Sequence, residues 1–170
     1  MRLPREQLLQ FLSPASADAV LASPEDLLRG RPLEVSVLCC DVADFRPLAE
    51  ADPTAALDVL NLLLAAISHA ILARDGTLMS FPGDGALAVF GAPIATDNHR
   101  ERATEAEAEI AGLTLATVNL ELRERGEGPL EIRTAVRSGP VVAGTIGASP
   151  RWEYAAIGAP TSQAVDEVQL

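Results

Sequence analysis

Lysine is absent from this chain. All 13 basic residues among its 170 are arginine. That excludes a phosphate-loop lysine, a Schiff-base lysine and every other lysine-dependent chemistry. Cysteine is scarce: the two residues, Cys39 and Cys40, are adjacent and make no disulfide framework. On a strand they would face opposite sides, and they read as small buried hydrophobes in a reducing, cytoplasmic compartment. Long apolar runs are also lacking. The richest, Ala55 to Ala73, is interrupted by Asp58, Asn61, Ser68 and His69, so it reads as a buried helix rather than a membrane span. The N-terminus MRLPREQLLQFL lacks the apolar core and small-residue cleavage site of a signal peptide. Positive charge is outnumbered, 13 basic against 24 acidic residues for a net −11. This argues against nucleic-acid binding, since phosphate backbones need a basic face.

What is present is enough for one domain. A hydrophobic fraction of 48% rules out an acidic disordered tail. A chain of this length buries roughly 70% of its unfolded surface and needs no staples. If its substrate is a nucleotide, local groups or bound cations must overcome the acidic field.

Residues 1–31 read as a helical lead-in rather than a domain. Pro4 suits a first helical turn before Leu8, Leu9, Phe11 and Leu12. Ser13-Pro14 breaks that helix, a second runs near Ala15 to Leu21, and Ser23-Pro24-Glu25 opens a third that ends near Gly30. Residues 32–170 follow a different pattern. Leu33, Val35, Val37 and Cys39 alternate with Leu38 and Cys40, giving a strand buried on both faces that ends in Asp41. Asp52-Pro53-Thr54 starts a helix over 53–74. Thr77 to Phe81 and Ala86 to Phe90 form a hairpin around Pro82-Gly83-Asp84-Gly85. A second long helix spans 97–125. Two strands are predicted around Ser138-Gly139-Pro140, then a short one at Tyr154 to Ile157, and a helix from Thr161. This order predicts an α+β, ferredoxin-like split βαβ sandwich with both long helices on one face.

In that fold the first strand lies beside the hairpin, so Asp41 and Asp84 meet. Two carboxylates and a backbone carbonyl make an oxygen-only site suited to Mg²⁺ or Mn²⁺. On spacing alone, a strand-end Asp and a Gly-Asp-Gly turn are equally ordinary loop chemistry. His69 and His99 have no second ligand at metal spacing and read as structural. Arg133, Arg137 and Arg151 read as solvated or paired with surface acids rather than as phosphate ligands.

Four segments carry a resemblance. Val37-Leu38-Cys39-Cys40-Asp41-Val42-Ala43-Asp44-Phe45 resembles the opening motif of the class III nucleotidyl cyclases, the adenylate and guanylate cyclase family. Phe81 to Pro93, Ser138 to Gly147 and Arg151 to Gly158 resemble the second, third and fourth motifs, in order. Phe11-Leu12-Ser13-Pro14 is similar to the segment that joins bacterial sensor modules to this domain. The Gly-Gly-acid-Glu-Phe hairpin of diguanylate cyclases is absent.

The resemblance implies an active site shared between two head-to-tail subunits, as a homodimer or a heterodimer with a complementary cyclase chain. Two metal ions activate the ribose 3′ oxygen of ATP or GTP for attack on the α-phosphorus, and pyrophosphate leaves. Asp41 and Asp84 match the metal aspartates, with the Val42 carbonyl beside them. Val42, Ala43, Asp44 and Phe45 match the phosphate-binding loop, with Asp44 where glycine is usual. The partner-side residues depart from the pattern. Ser80 stands at the purine-selecting lysine, Ala155 at its acidic companion, Ser162 at the asparagine and Asp166 at the transition-state arginine. The chain also stops soon after the fourth motif, which implies a fold without the family's C-terminal strands. The expectation is a domain with little activity alone, at most the metal-bearing half of a shared site. The alternative is a catalytically dead module for regulation or dimerisation.

Overall fold

A computed structural model describes residues 5–23, 29–148 and 151–169. Pro4 and most of the helix expected from Ser23 to Gly30 lie outside them. The described elements are α1 (Arg5–Leu8), α2 (Pro14–Ala22), β1 (Arg31–Val42), α3 (Phe45–Ala51), α4 (Pro53–Leu72), β2 (Thr77–Ser80), β3 (Gly85–Phe90) and α5 (His99–Glu109). After them come α6 (Leu115–Glu124), β4 (Ile132–Ala148), β5 (Arg151–Ile157) and α7 (Ala159–Val168). All strand pairings are antiparallel, in the order β2-β3-β1-β4-β5. The first four strands in that order have the ferredoxin-like arrangement, and β5 extends one edge.

β1 is the middle strand because both its faces are apolar. Val35, Val37 and Cys39 enter one core, and Leu38, Cys40 and Val42 enter the other. The second core is roofed by α4, α5 and α6, as expected. α4 is long and apolar enough by composition to cross a membrane, yet here Val59, Leu63, Ile67, Ala70 and Ile71 bury its inner face against the sheet.

The opposite face is covered by the lead-in and α7. Leu8, Leu12, Ala17 and Val20 pack with Tyr154, Ala164 and Val168 under the sheet. Polar ties hold the lead-in there. The Leu78 N–H on edge strand β2 donates to the Phe11 carbonyl at 2.9 Å. Ser13 Oγ and Arg102 Nη1 both donate to Asp75, each at 2.8 Å.

Two expectations need correction. The strands predicted around Ser138-Gly139-Pro140 are one 17-residue strand, β4, with unbroken register to β1 from Arg31↔Ala143 to Val42↔Ile132. β5 pairs with β4 only from Val142 onward, so at Pro140 that side is an open edge, where a missing N–H is tolerated. The helix expected over 97–125 contains a five-residue π segment, Ile110–Thr114. Ile110, Thr114, Val118 and Leu122 are buried at steps of four, which would drift around an ideal α-helix; the wider turn keeps them on one face. Leu113 is rotated out and is 72% exposed. His99 is structural, as expected: Ser36 Oγ, wholly buried, lies 2.9 Å from its Nδ1 and 2.7 Å from Ser138 Oγ. Burial lowers the His99 pKa from its ordinary value.

Candidate functional site

Two chain reversals build the site. At the end of β1, Asp44 adopts φ +55°, a left-handed conformation. Asp is among the few non-glycine residues that enter that region readily, so the turn forms with Asp44 at the position where the resemblance leads to glycine. At the hairpin tip, Gly83 takes φ +60° and the Gly85 N–H donates to the Pro82 carbonyl at 3.1 Å. Gly85 pairs directly with Asp41. A Cβ on Gly85 would lie 2.1 Å from the Cys40 carbonyl oxygen, so glycine is what lets the hairpin press against β1. The result is Asp84 beside Asp41, within hydrogen-bonding reach.

The electrostatics of that pair are unfavourable without a cation. Burial raises the Asp41 pKa first, and the neighbouring Asp84 carboxylate raises it further. Arg133 opposes both. The guanidinium comes from the residue paired with Asp41 on β4 and donates to Asp41 Oδ2 at 3.1 Å. A cleft of about 530 Å³ opens over this cluster, lined by Asp41, Val42, Asp44 and Phe45, by Gly83 and Asp84, and by Arg46 and Arg133. Sequence reasoning left Arg133 solvated or paired with a surface acid rather than at the site, and passed over Arg46. Only the β1–β4 register, which no local pattern encodes, reveals Arg133 as part of the site.

The same pair links stability to pH. A carboxylate with a raised folded-state pKa favours the native state while protonated; that stability is lost as pH rises through the folded value. At pH 7 without metal, charged Asp41 is therefore destabilising. Asp41→Asn is expected to melt above wild type at pH 7 in chelator, with the gap closing as pH falls toward 3.8, the ordinary value. Thermal unfolding across that range checks it. A variant melting at or below wild type would mean that the Arg133 pair outweighs the burial cost.

Ser80, Ala155, Ser162 and Asp166 do not line this cleft. Ser80 ends β2 and Ala155 sits mid-β5, opposite Gly144. Those edge strands come within 8 Å between Cα atoms, so the sheet curls and brings the two elements together. Ser162 and Asp166, one helical turn apart, share the exposed face of α7.

The donor set at Asp41 and Asp84 fits a hard divalent ion. The two carboxylates offer only oxygen, and their mutual repulsion favours a cation between them, with Val42 on the same cleft wall. Among the described residues, no group of three or more His, Cys, Asp or Glu is placed to hold a metal. Two carboxylates leave positions for water and phosphate oxygens, the pattern Mg²⁺ adopts with nucleotides.

Residues 30–164 match the family profile described as the adenylate and guanylate cyclase catalytic domain. Adenylate cyclase 1 of Rhizobium meliloti is 29% identical over 126 residues, which cover 74% of this chain and 19% of that protein. An uncharacterized protein of Mycobacterium tuberculosis is 31% identical over 145 residues, covering 84% of this chain and 25% of that one. The chain therefore spans about a fifth to a quarter of the length of the curated relatives it matches. Among solved structures, the guanylyl cyclase Cya2 superimposes at TM-score 0.78 with 30% identity, covering 82% of this chain and 71% of that one. The adenylyl cyclase CyaB from P. aeruginosa does so at 0.75 with 27% identity, covering 81% and 72%.

Proposed function

The chain belongs to the adenylate and guanylate cyclase catalytic domain family, and from that premise we propose that it is the metal-bearing half of a nucleotidyl cyclase site. The other half would come from a complementary cyclase chain. The observation that carries this reading is the juxtaposition of Asp41 and Asp84 in an open cleft whose own subunit contributes no purine-selecting group.

In this reading Asp41, Asp84 and the Val42 carbonyl would hold two Mg²⁺ or Mn²⁺ ions. When bound, those ions supply charge neutralisation and activation of the attacking ribose oxygen. Arg133, which pairs with Asp41 at 3.1 Å, would give up that place to bound cations. The Asp44 turn fixes the loop backbone against the phosphates of ATP or GTP. A homodimer would put Ser80, Ala155, Ser162 and Asp166 opposite both clefts, so turnover calls for a heterodimer. Support for a second subunit comes from β4 and β5. Val142 and Ile157 are cross-strand partners, 50% and 65% exposed, and Ile146 on the same face is 46% exposed. We place the domain in the cytoplasm, where nucleotide is available, with neither nucleic-acid binding nor membrane insertion.

A second reading, a regulatory or dimerisation module without turnover, is favoured by Asp166, which aligns with the family's transition-state arginine and would set a carboxylate against the triphosphate. Titration calorimetry separates the two. The half-site reading expects no ATP or GTP binding in chelator, weak binding in Mn²⁺, and its loss in Asp41→Asn/Asp84→Asn. Metal-independent binding, or binding that survives the double substitution, removes the metal half-site. No binding under any condition favours the regulatory module.

A further inference from the structure

Between α6 and β4 the chain has no regular structure over residues 127–131, yet its end is tied down. Asn119, on α6, reaches Leu130 and pairs with it twice. Its Nδ2 donates to the Leu130 carbonyl at 3.0 Å, and its Oδ1 accepts from the Leu130 N–H at 2.8 Å. Asparagine suits this task because its amide offers a donor and an acceptor side by side, as a peptide group does. The side chain serves Leu130 as a neighbouring strand would. Both residues are half-buried, where a backbone bond left unmade is costly.

One residue further on, the tie reaches the candidate site. The Glu131 carbonyl accepts from the Ala43 N–H at 2.9 Å, which carries the β1–β4 pairing one step past Val42↔Ile132. Ala43 precedes the left-handed Asp44, so the bond anchors the chain immediately before it reverses. The bond also sets a direction. The Ala43 N–H and the Val42 carbonyl belong to one planar trans peptide and point opposite ways. Aiming the N–H at Glu131 therefore aims the Val42 carbonyl away from it. Val42 lines the cleft with Asp41 and Asp84, and so do Asp44 and Phe45 beyond that peptide.

We propose that Asn119 is a positioning residue for the metal site: by holding Leu130 and, through Glu131, the Ala43 N–H, it fixes the direction in which the Val42 carbonyl meets a divalent ion. The proposal rests on the half-site reading above and adds to it a residue outside the cleft. Asn119 sits on α6, an element that contributes no lining residue. Groups that orient a metal ligand from behind commonly carry about 10- to 100-fold in metal affinity. Asn119 acts through intervening backbone, which puts its effect near the lower figure.

The test compares the full wild-type chain with Asn119→Ala, Asn119→Asp and Thr117→Ala. Asn119→Asp keeps the side-chain shape but sets a carboxylate oxygen against the Leu130 carbonyl, so it breaks the pairing without opening a cavity. Thr117→Ala is the control on the same helix: this residue is exposed and its hydroxyl donates to the Leu113 carbonyl, four residues back. Two readouts are taken, hydrogen exchange at the Ala43 amide without metal and calorimetric binding of ATP in Mn²⁺. Both Asn119 variants should exchange Ala43 faster by about 10-fold, beyond any change at Val37 in the middle of β1. Both should also bind ATP in Mn²⁺ about 10-fold more weakly, and Thr117→Ala should match wild type in each. An equal rise in exchange at Ala43 and Val37 would overturn the proposal, because Asn119 would then only stabilise the fold. Exchange at Ala43 or ATP binding within twofold of wild type in either Asn119 variant would overturn it as well, and the half-site would stand. If wild type binds no ATP in Mn²⁺, or Asp41→Asn/Asp84→Asn binds it equally, the half-site reading falls and takes the Asn119 assignment with it.

Discussion

Mixed with a cyclase chain that carries the purine-selecting pair and a transition-state arginine, this chain is expected to yield at least ~10³-fold more cyclic nucleotide than it does alone. The size of the effect comes from what each subunit lacks. On the half-site reading, a homodimer would bring Ser162 and Asp166 of α7 to each cleft, with Ser80 of β2 and Ala155 of β5. None of these is a cation. A single arginine stabilising a phosphoryl-transfer transition state is worth about 10³ to 10⁵ in rate, and a carboxylate in its place opposes the same charge. The direction of complementation is also fixed. Asp41→Asn/Asp84→Asn in this chain should abolish the gain, whereas removing the metal aspartates of the partner should leave it intact. A cyclic-nucleotide assay on co-purified chains reads both arms. Comparable turnover by this chain alone would overturn the half-site reading, as would a gain that survives loss of Asp41 and Asp84.

Gly85→Ala should be the most damaging single methyl in the site. The added Cβ would stand 2.1 Å from the Cys40 carbonyl oxygen and 3.1 Å from Asp41 Cα. Both are backbone atoms of β1, which β3 and β4 hold from either side. No side chain can swing away, so the strands themselves must part. Overpacking commonly costs about 1–3 kcal/mol, and a rigid backbone neighbour puts this case at the upper end. Parting β3 from β1 also carries Asp84 away from Asp41. Gly85→Ala should therefore lose Mn²⁺-dependent nucleotide binding even where it remains folded. Gly83→Ala is the control. Its Cβ would meet nothing within 4 Å, and only the φ of +60° resists it, at about 1 kcal/mol. Urea unfolding of the two variants, with calorimetry alongside, distinguishes them. Equal midpoints would refute the close-approach explanation.

The parts of this molecule that announce themselves in sequence are those where local pattern and tertiary role coincide. β1 is apolar on alternating positions of both faces, which only a central strand can satisfy, and it ends on Asp41. The Gly83-Asp84-Gly85 tip is legible because turn chemistry is written in the residues that make it. Element order then brings the two aspartates together. Where long-range register decides, the sequence is silent. Arg133 has the composition of any surface arginine and becomes part of the site only because β4 pairs it with Asp41. Pro140 reads as a break because its effect depends on where the neighbouring strand begins. The Ile110–Thr114 π segment is hidden because one extra residue in a turn leaves the apolar periodicity almost unchanged.

The packing of the lead-in has a practical side for protein engineering. Leu8, Leu12, Ala17 and Val20 close one face of the sheet, and Phe11 occupies the backbone edge of β2. A chain trimmed to begin at β1 would uncover Val35, Val37, Cys39 and Tyr154, an apolar surface of the kind that drives aggregation. It would also leave a strand edge open to pairing with another chain. When a foreign light or ligand receptor is grafted onto this domain, the splice point that leaves the sheet intact precedes Arg5, and the lead-in travels with the domain as its missing wall.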